Sequence, residues 1–473
     1  MKTNLDIKQV NSMSDIHWGF LAQGLNVATG LLLLPMILRY LPPEEVGLWF
    51  VFMSLAGLAQ LLELGFLPTI TRNVAYLYAG AQKLNAYGYE PTTEHVHLNI
   101  ELLQQLFMAA REIYLVVSLS TLAFLAVIGT TYISMLLTHS MPQFQIIFAW
   151  IAFALGYVIN FYYGYFNGFL QGRGDVKASN QIIVANRVVL IVLASLLLAE
   201  GWGLLGVGFA SLISSVIGRG LAARIFWSGG GAETFSLKVA KVIKNNSLIS
   251  ILWPNAKKLG WVYLGSFLIT RANVLIASSF LGLAATASYG LTFQILTTFT
   301  SLSAVVFNLN MPHFSGDQIR GRHENILEKF GKSLATGWLV YLVCTVILFL
   351  FGNTLLALIG SRTHLLEANL LFLFVIIMFL EMNHSLCAGY LTTFNEIPFV
   401  RAALVSGICI VSISVLTVSV FHFEIWGLLL SQGVVQVFYN NWMWPMEAAR
   451  KLNHSFAYVL ASGFRGLWKD CHA

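Results

Sequence analysis

The chain has 473 residues, 57% of them hydrophobic and only 10% charged, with a mean hydropathy of +0.73. A soluble globule carries about 25% charged residues, so this composition excludes one and leaves no room for a large aqueous domain. The net charge of +6 does not point to nucleic acid, because the basic residues flank apolar segments in the pattern of a membrane protein.

Residues 1–17 are polar and lack an apolar core, so they read as no cleavable signal, and the first helix itself directs insertion. From there the pattern predicts twelve spans, at about 18–40, 46–70, 113–137, 146–170, 181–199, 203–224, 259–279, 287–311, 334–351, 369–390, 402–422 and 427–445. The first two form a hairpin. Pro42 and Pro43 cannot continue the first helix, while Glu44 and Glu45 sit where carboxylates favour the N-terminal end of the second. The expected division is a six-helix bundle over 1–228, a cytoplasmic linker with an interfacial helix over 229–258, and a second six-helix bundle with a cytoplasmic tail over 259–473. The run Gly229-Gly230-Gly231 supplies a flexible joint.

An internal repeat underlies that division. Gly47 followed by Leu-Trp-Phe, with Pro68 beyond it, matches Gly290 followed by Leu-Thr-Phe, with Pro312 beyond it. Trp202-Gly203-Leu204-Leu205 returns as Trp426-Gly427-Leu428-Leu429. The offsets of about 243 and 224 residues are close to half the chain, a recurring architecture in transporters.

With the N-terminus inside, 24 of the 27 basic residues, Arg187 and Arg219 among them, fall to cytoplasmic segments. Arg39 and Arg362 fall outside, and Arg271 within a span. Both termini are therefore expected in the cytoplasm. Outer loops are short, the longest being roughly 352–368. Two cytoplasmic stretches, 96–110 and 235–246, have an apolar face and read as helices in the headgroup plane, the second carrying Lys238, Lys241 and Lys244 for anionic lipid.

Ionisable groups within a span are costly and mark functional sites, and they are Glu63, Arg271, Glu381 and His384. Arg271, beside Thr270 and Asn273, suits an anionic substrate. Glu63, or the i,i+3 pair Glu381 and His384, suits uptake of a proton or sodium ion. The fourth span carries Asn160-Phe161-Tyr162-Tyr163-Gly164-Tyr165-Phe166-Asn167. That mix of rings and amides fits either sugar stacking, with Asn160 and Tyr163 as contacts, or an interfacial aromatic belt. Asn26 is a further candidate substrate contact, and with Gln23, Gln294, Asn308 and Asn310 it adds polarity to other spans, which helix–helix hydrogen bonding also explains.

Other apparent motifs carry no chemistry. His95 and His97 point apart on a helix, so no metal site is expected, and Cys344, Cys387, Cys409 and Cys471 have neither paired nor ligand spacing. Gly172-Arg173-Gly174-Asp175 is a turn, not a phosphate loop, and Asn453-His454-Ser455 lies on the wrong side for glycosylation.

The stretch PMILRYLPPEEVGLW, followed by LLELGF and Pro68, with its partial repeat FLGLAATASYGL and Pro312, resembles the polysaccharide-transport branch of the multidrug/oligosaccharidyl-lipid/polysaccharide (MOP) exporter superfamily. Within it the O-antigen repeat-unit flippases (Wzx type) are most similar. The resemblance implies an all-α polytopic membrane protein of about twelve helices, in two pseudo-symmetric six-helix bundles around a central cavity. It implies no enzymatic activity and no cofactor. The expected cargo is an undecaprenyl-pyrophosphate-linked oligosaccharide, moved from the cytoplasmic to the outer leaflet of a bacterial inner membrane. Proton or sodium coupling, membrane-lipid contacts and contact with polysaccharide polymerase and chain-length machinery are implied with it, and nucleic acid is not. Arg271 is the residue for the pyrophosphate. Two departures stand out: Glu63-Leu64-Gly65 replaces a common Asp-Leu-Gly, and Thr270-Arg271-Ala272-Asn273 lacks the acid often paired with the arginine. A drug or cation exporter of the same superfamily shares the fold but calls for a more acidic cavity. A membrane glycosyltransferase, polymerase or ligase calls for catalytic residues in a sizeable outer loop.

Overall fold

The computed structural model describes residues 13–85, 98–228, 247–394 and 398–472, and every regular element among them is helical. His95, Val96, His97, the triple glycine and the basic stretch 235–246 lie outside the described residues. In chain order the helices are α1 (Met13–Tyr40), α2 (Pro43–Gln60), α3 (Phe66–Tyr78), α4 (Ile100–Phe124), α5 (Thr130–Leu136), α6 (Gln143–Tyr162), α7 (Tyr165–Gly172), α8 (Val176–Ala199) and α9 (Gly203–Phe226). Then follow α10 (Ser247–Thr270), α11 (Ala272–Phe280), α12 (Leu283–Ser303), α13 (Val305–Ile319), α14 (His323–Ile359), α15 (Ala368–Thr392), α16 (Val400–Ser419), α17 (Glu424–Phe438), α18 (Asn440–Lys451) and α19 (Phe456–His472).

Among the described residues, 8 helices are long and apolar enough to cross a membrane, or 10 when the bent pairs α10/α11 and α12/α13 each count as one span. The two other expected stretches, 18–40 and 427–445, lie on α1 and on the pair α17/α18, which is broken at Tyr439. The chain is thus an all-helical, multi-pass membrane protein. Lipid solvates no backbone groups, so each apolar stretch satisfies its own amides by coiling.

Two compact units form. The N-terminal unit is Met1–Met36 with Phe52–Tyr263, and the C-terminal unit is Ile37–Val51 with Leu264–Ala473. These limits differ from the expected 1–228 and 259–473 at two places. The turn of the first hairpin falls in the C-terminal unit, where Gly47 lies so close to the Leu283 backbone that a Cβ would collide with its carbonyl. The start of α10, expected as linker, is core of the N-terminal unit: Leu248, Leu252 and Ala256 are buried among Phe107, Phe169 and Phe226.

That core also changes the reading of 96–110. Residues 100–110 do not form a separate surface helix. They open α4, which continues through a π turn at 125–129 into α5 as one 37-residue stretch. Leu103, Leu106, Phe107 and Ala110 are buried, with the Phe107 ring stacked on Phe226 at 5.6 Å. The amphipathic pattern was real, but its apolar face is satisfied by protein instead of lipid headgroups. The GRGD stretch forms a turn between α7 and α8, as expected, and within it Arg173 pairs with Asp175.

In the C-terminal unit Tyr289, Phe293 and Phe374 form a stack, and Phe307, Phe314, Phe330 and Tyr390 form a second aromatic core. The tail helix α19 packs along α14 where Gly331 and Gly463 meet backbone to backbone. Small residues at such a crossing let two helices approach closely enough for dense van der Waals contact.

Candidate functional site

The repeat places a break in the second and eighth spans alike. In the second, a short 3-10 turn Leu61–Glu63 follows α2, and Leu64 and Gly65 are both left-handed, with φ of 51° and 75°. In the eighth, Ala304 separates α12 from α13 with a bend of 41°. Gly65 is required twice over, by its φ and because a Cβ would meet the Leu259 side chain.

Glu63 sits at the first of these breaks. Its Oε1 accepts a hydrogen bond from the Tyr114 hydroxyl at 2.6 Å, and its carboxylate also accepts from the Leu67 backbone N–H in the first turn of α3. An anion at a helix N-terminus meets unsatisfied amides and the positive end of the dipole. Tyr114 is 1% exposed. Behind it lies Arg219 of α9, within electrostatic reach of both Glu63 and Tyr114. Arg219 Nε donates to Asn160 Oδ1 at 2.8 Å, and Asn160 Nδ2 donates to Ser215 Oγ at 2.6 Å. Arg219 Nη1 is buried with no hydrogen-bond partner among the described residues.

Arg219 was expected among the cytoplasmic flanking cations, and the structure instead packs it inside α9, two turns before that helix ends. Arg187 likewise lies within α8. Asn160 therefore holds an arginine rather than lining a free amide surface. Tyr163 is at the other side of the aromatic run, 36% exposed, its ring parallel to Phe166 at 6.1 Å. The side chains of Asn26 and Gln23 lie outside the described residues.

In the C-terminal unit, Glu381 and His384 do share a face of α15: Glu381 Oε1 is 3.5 Å from His384 Nε2. The pair is anchored by the break between α17 and α18. Gln436 Nε2 donates to Glu381 Oε2 at 2.7 Å, and His384 Nδ1 pairs with Asn441 Oδ1 at 3.0 Å. Gln436 also receives Asn440, which in turn bonds Ser406 Oγ and accepts from the Trp444 indole. Sequence reasoning named the acid and the histidine but missed Gln436, Asn440 and Asn441, which come from another span. Asn310 is used in packing, donating to Ser333 Oγ at 3.0 Å.

Arg271 and Asn273 diverge. Arg271 is exposed at the 40° break between α10 and α11. Asn273 is fully buried, its amide nitrogen directed at the Leu428 carbonyl. The two neighbours therefore do not form one binding surface. No cluster of three or more potential metal-ligating side chains occurs among the described residues.

No family profile matches the sequence, and no curated protein matches it either. Solved structures do match over nearly the whole chain. An inward-facing multidrug resistance MATE family transporter of the MOP superfamily is similar with a TM-score of 0.59 at 14% identity, covering 91% of this chain and 95% of that one. The MATE multidrug transporter DinF-BH gives a TM-score of 0.60 at 14% identity, with 93% and 94% covered. The fold is that of the MOP-superfamily transporters. A third similar structure is a MOP superfamily transporter from Pyrococcus furiosus, described as having a binding pocket of reversed polarity that suggests a different function, with a TM-score of 0.55 at 13% identity and 96% and 99% covered.

Proposed function

We propose that this MOP-fold chain is a flippase that carries a polyprenyl-pyrophosphate-linked oligosaccharide from the cytoplasmic to the outer leaflet of the inner membrane by alternating access. The observation that carries the reading is Arg271, an arginine held exposed at a break in an apolar span. A guanidinium at mid-span costs about 2.5–3.5 kcal/mol even on insertion scales, so it is retained where water and an anion reach it. Its planar fork suits the oxygens of a pyrophosphate, while the sugars meet amides and rings and the lipid tail stays in hydrocarbon. The sequence resemblance over Leu31–Asn73 and the MOP fold support the same reading. Glu63 and the Glu381–His384 pair are its candidates for ion coupling.

A cation-coupled drug exporter fits the fold equally, and the acid at the break in the second span favours it. The charge of the exposed mid-span group separates the two: a cationic cargo is repelled by Arg271.

The test is deletion of the gene with rescue by variants. Loss of surface polysaccharide, with lipid-linked oligosaccharide accumulating in the cytoplasmic leaflet, is expected. Arg271→Ala should restore less than about a tenth of export and Arg271→Lys an intermediate amount, since a point charge replaces a bidentate fork. Normal surface polysaccharide with altered resistance to cationic compounds selects the drug exporter.

A further inference from the structure

Within the N-terminal unit, one acid, one phenol and one arginine from different elements converge on a helix break, and the arginine has donor capacity left over. We infer that Glu63 is a proton-binding site whose buried countercharge is Arg219, and that its protonation state sets the hinge at Leu64–Gly65 in the second span. This deepens the transporter reading above and is independent of which cargo is carried.

Ionised, Glu63 accepts from Tyr114 and from the Leu67 amide, so it ties α3 to α4 across two residues that are both left-handed. Leu64 is held there without glycine's freedom, a conformation that persists only where its surroundings enforce it. Leu64 and Gly65 in turn touch Gly260 and Leu259 of α10, so a change at the break reaches the start of the seventh span. The groups that face Glu63 are Tyr114 from α4, Arg219 from α9 and Tyr263 from α10, together with the Leu67 amide of its own span.

A proton arriving from water bonds to a Glu63 oxygen, and the carboxylate becomes a carboxylic acid. Three consequences follow from that one step. The neutral acid is a poorer acceptor for the Leu67 amide, and the helix dipole no longer attracts it. Tyr114 loses its charged acceptor. Arg219 loses its countercharge while its Nη1 has no hydrogen-bond partner among the described residues, so the arrangement is stabilised only in the ionised state. Proton uptake therefore loosens the break, and proton release restores it. A sodium ion is a poorer fit, because one carboxylate and one phenol supply too few oxygens for a hard cation.

The experiment uses full-length protein in vesicles of mixed zwitterionic and anionic phospholipid, without any sugar lipid. Hydrogen exchange of amides 61–70, corrected for intrinsic rate, is measured at about pH 5 and about pH 8. Wild type is expected to exchange about tenfold faster at the lower pH. Glu63→Gln should exchange at the faster rate at both, and Tyr114→Phe should narrow the difference. Arg219→Gln should lower the melting temperature at the higher pH, and Glu63→Gln/Arg219→Gln should recover it, because both charges are removed together. Glu63→Asp, which keeps the carboxylate, should retain a pH response if Glu63→Gln does not fold. The inference is overturned by a pH response that survives in Glu63→Gln, by a double variant weaker than Arg219→Gln alone, or by a response to sodium at fixed pH in place of protons. Because no cargo is present, failure here leaves the export assay unaffected, and failure of export leaves this result standing.

Discussion

Asn440 shows how much one side chain can hold inside a membrane bundle. Its amide joins Ser406, Gln436 and the Trp444 indole, and through Gln436 it fixes the carboxylate of Glu381. Asn440→Leu leaves at least two of these buried groups unsatisfied, so it should cost about 2–4 kcal/mol and lower the melting temperature of the detergent-solubilised protein by several degrees. Asn440→Asp, which keeps the acceptor for Trp444, should cost less on heating but place a second carboxylate near Glu381. The Glu381–His384 pair was legible because i,i+3 spacing on a helix is a local fact. Its partners were not, because Gln436 and Asn441 reach it only through packing of two spans 55 or more residues apart. Arg219 was misplaced for a related reason: counting cations near span ends treats each as a flank. The small buried neighbours Ser214, Ser215 and Gly218 on the same helix could have marked a packed face instead.

Breaks and crossings decide the behaviour of the helices as elements. The second-span break needed Glu63-Leu64-Gly65 to be read as a hinge, whereas sequence reasoning saw a continuous span with an acid in it, since one glycine in an apolar helix is ordinary. The 96–110 stretch failed similarly, because an amphipathic face does not say whether lipid or protein covers it. The tail helix offers a clean test of covered faces. Gly463 of α19 meets Gly331 of α14 so closely that any Cβ collides with backbone, which a rotamer change cannot relieve. Gly463→Val should therefore detach α19, at a cost of about 1–3 kcal/mol, and expose the 453–456 connection to protease in inverted vesicles. Gly316→Ala, where a Cβ meets open space, is the matched control and should leave cleavage unchanged.

The repeat seen in the sequence reappears as geometry across the whole molecule. Gly47 and Gly290, matched by their context, are both close-packing positions in the C-terminal unit, Gly47 against Leu283 and Gly290 against Phe50. Pro68 and Pro312 both lie in the helix that follows a break, Pro68 in the first turn of α3 and Pro312 about two turns into α13. Fold class was legible because hydropathy and repetition are carried by every span, while the unit boundaries were not, since the Ile37–Val51 turn packs outside its own half. Orientation rests on charge alone, and it decides which face would load the cargo of the proposed flippase.

The loop that follows α14, expected outside, gives the means to test it. Gly360 ends that helix in a left-handed cap, Thr363 and Leu366 turn inward, and the Leu366 amide reaches Thr292 Oγ1 at 3.2 Å. Arg362 is left exposed between half-buried Ser361 and buried Thr363. In a background without the four native cysteines, Arg362→Cys should react with a membrane-impermeant maleimide in intact cells. Arg450→Cys, exposed in α18 at the opposite end of the chain's last span, should react only after permeabilisation. The reverse pattern would place the basic loops outside, against the charge rule, and would make an importer of the proposed exporter.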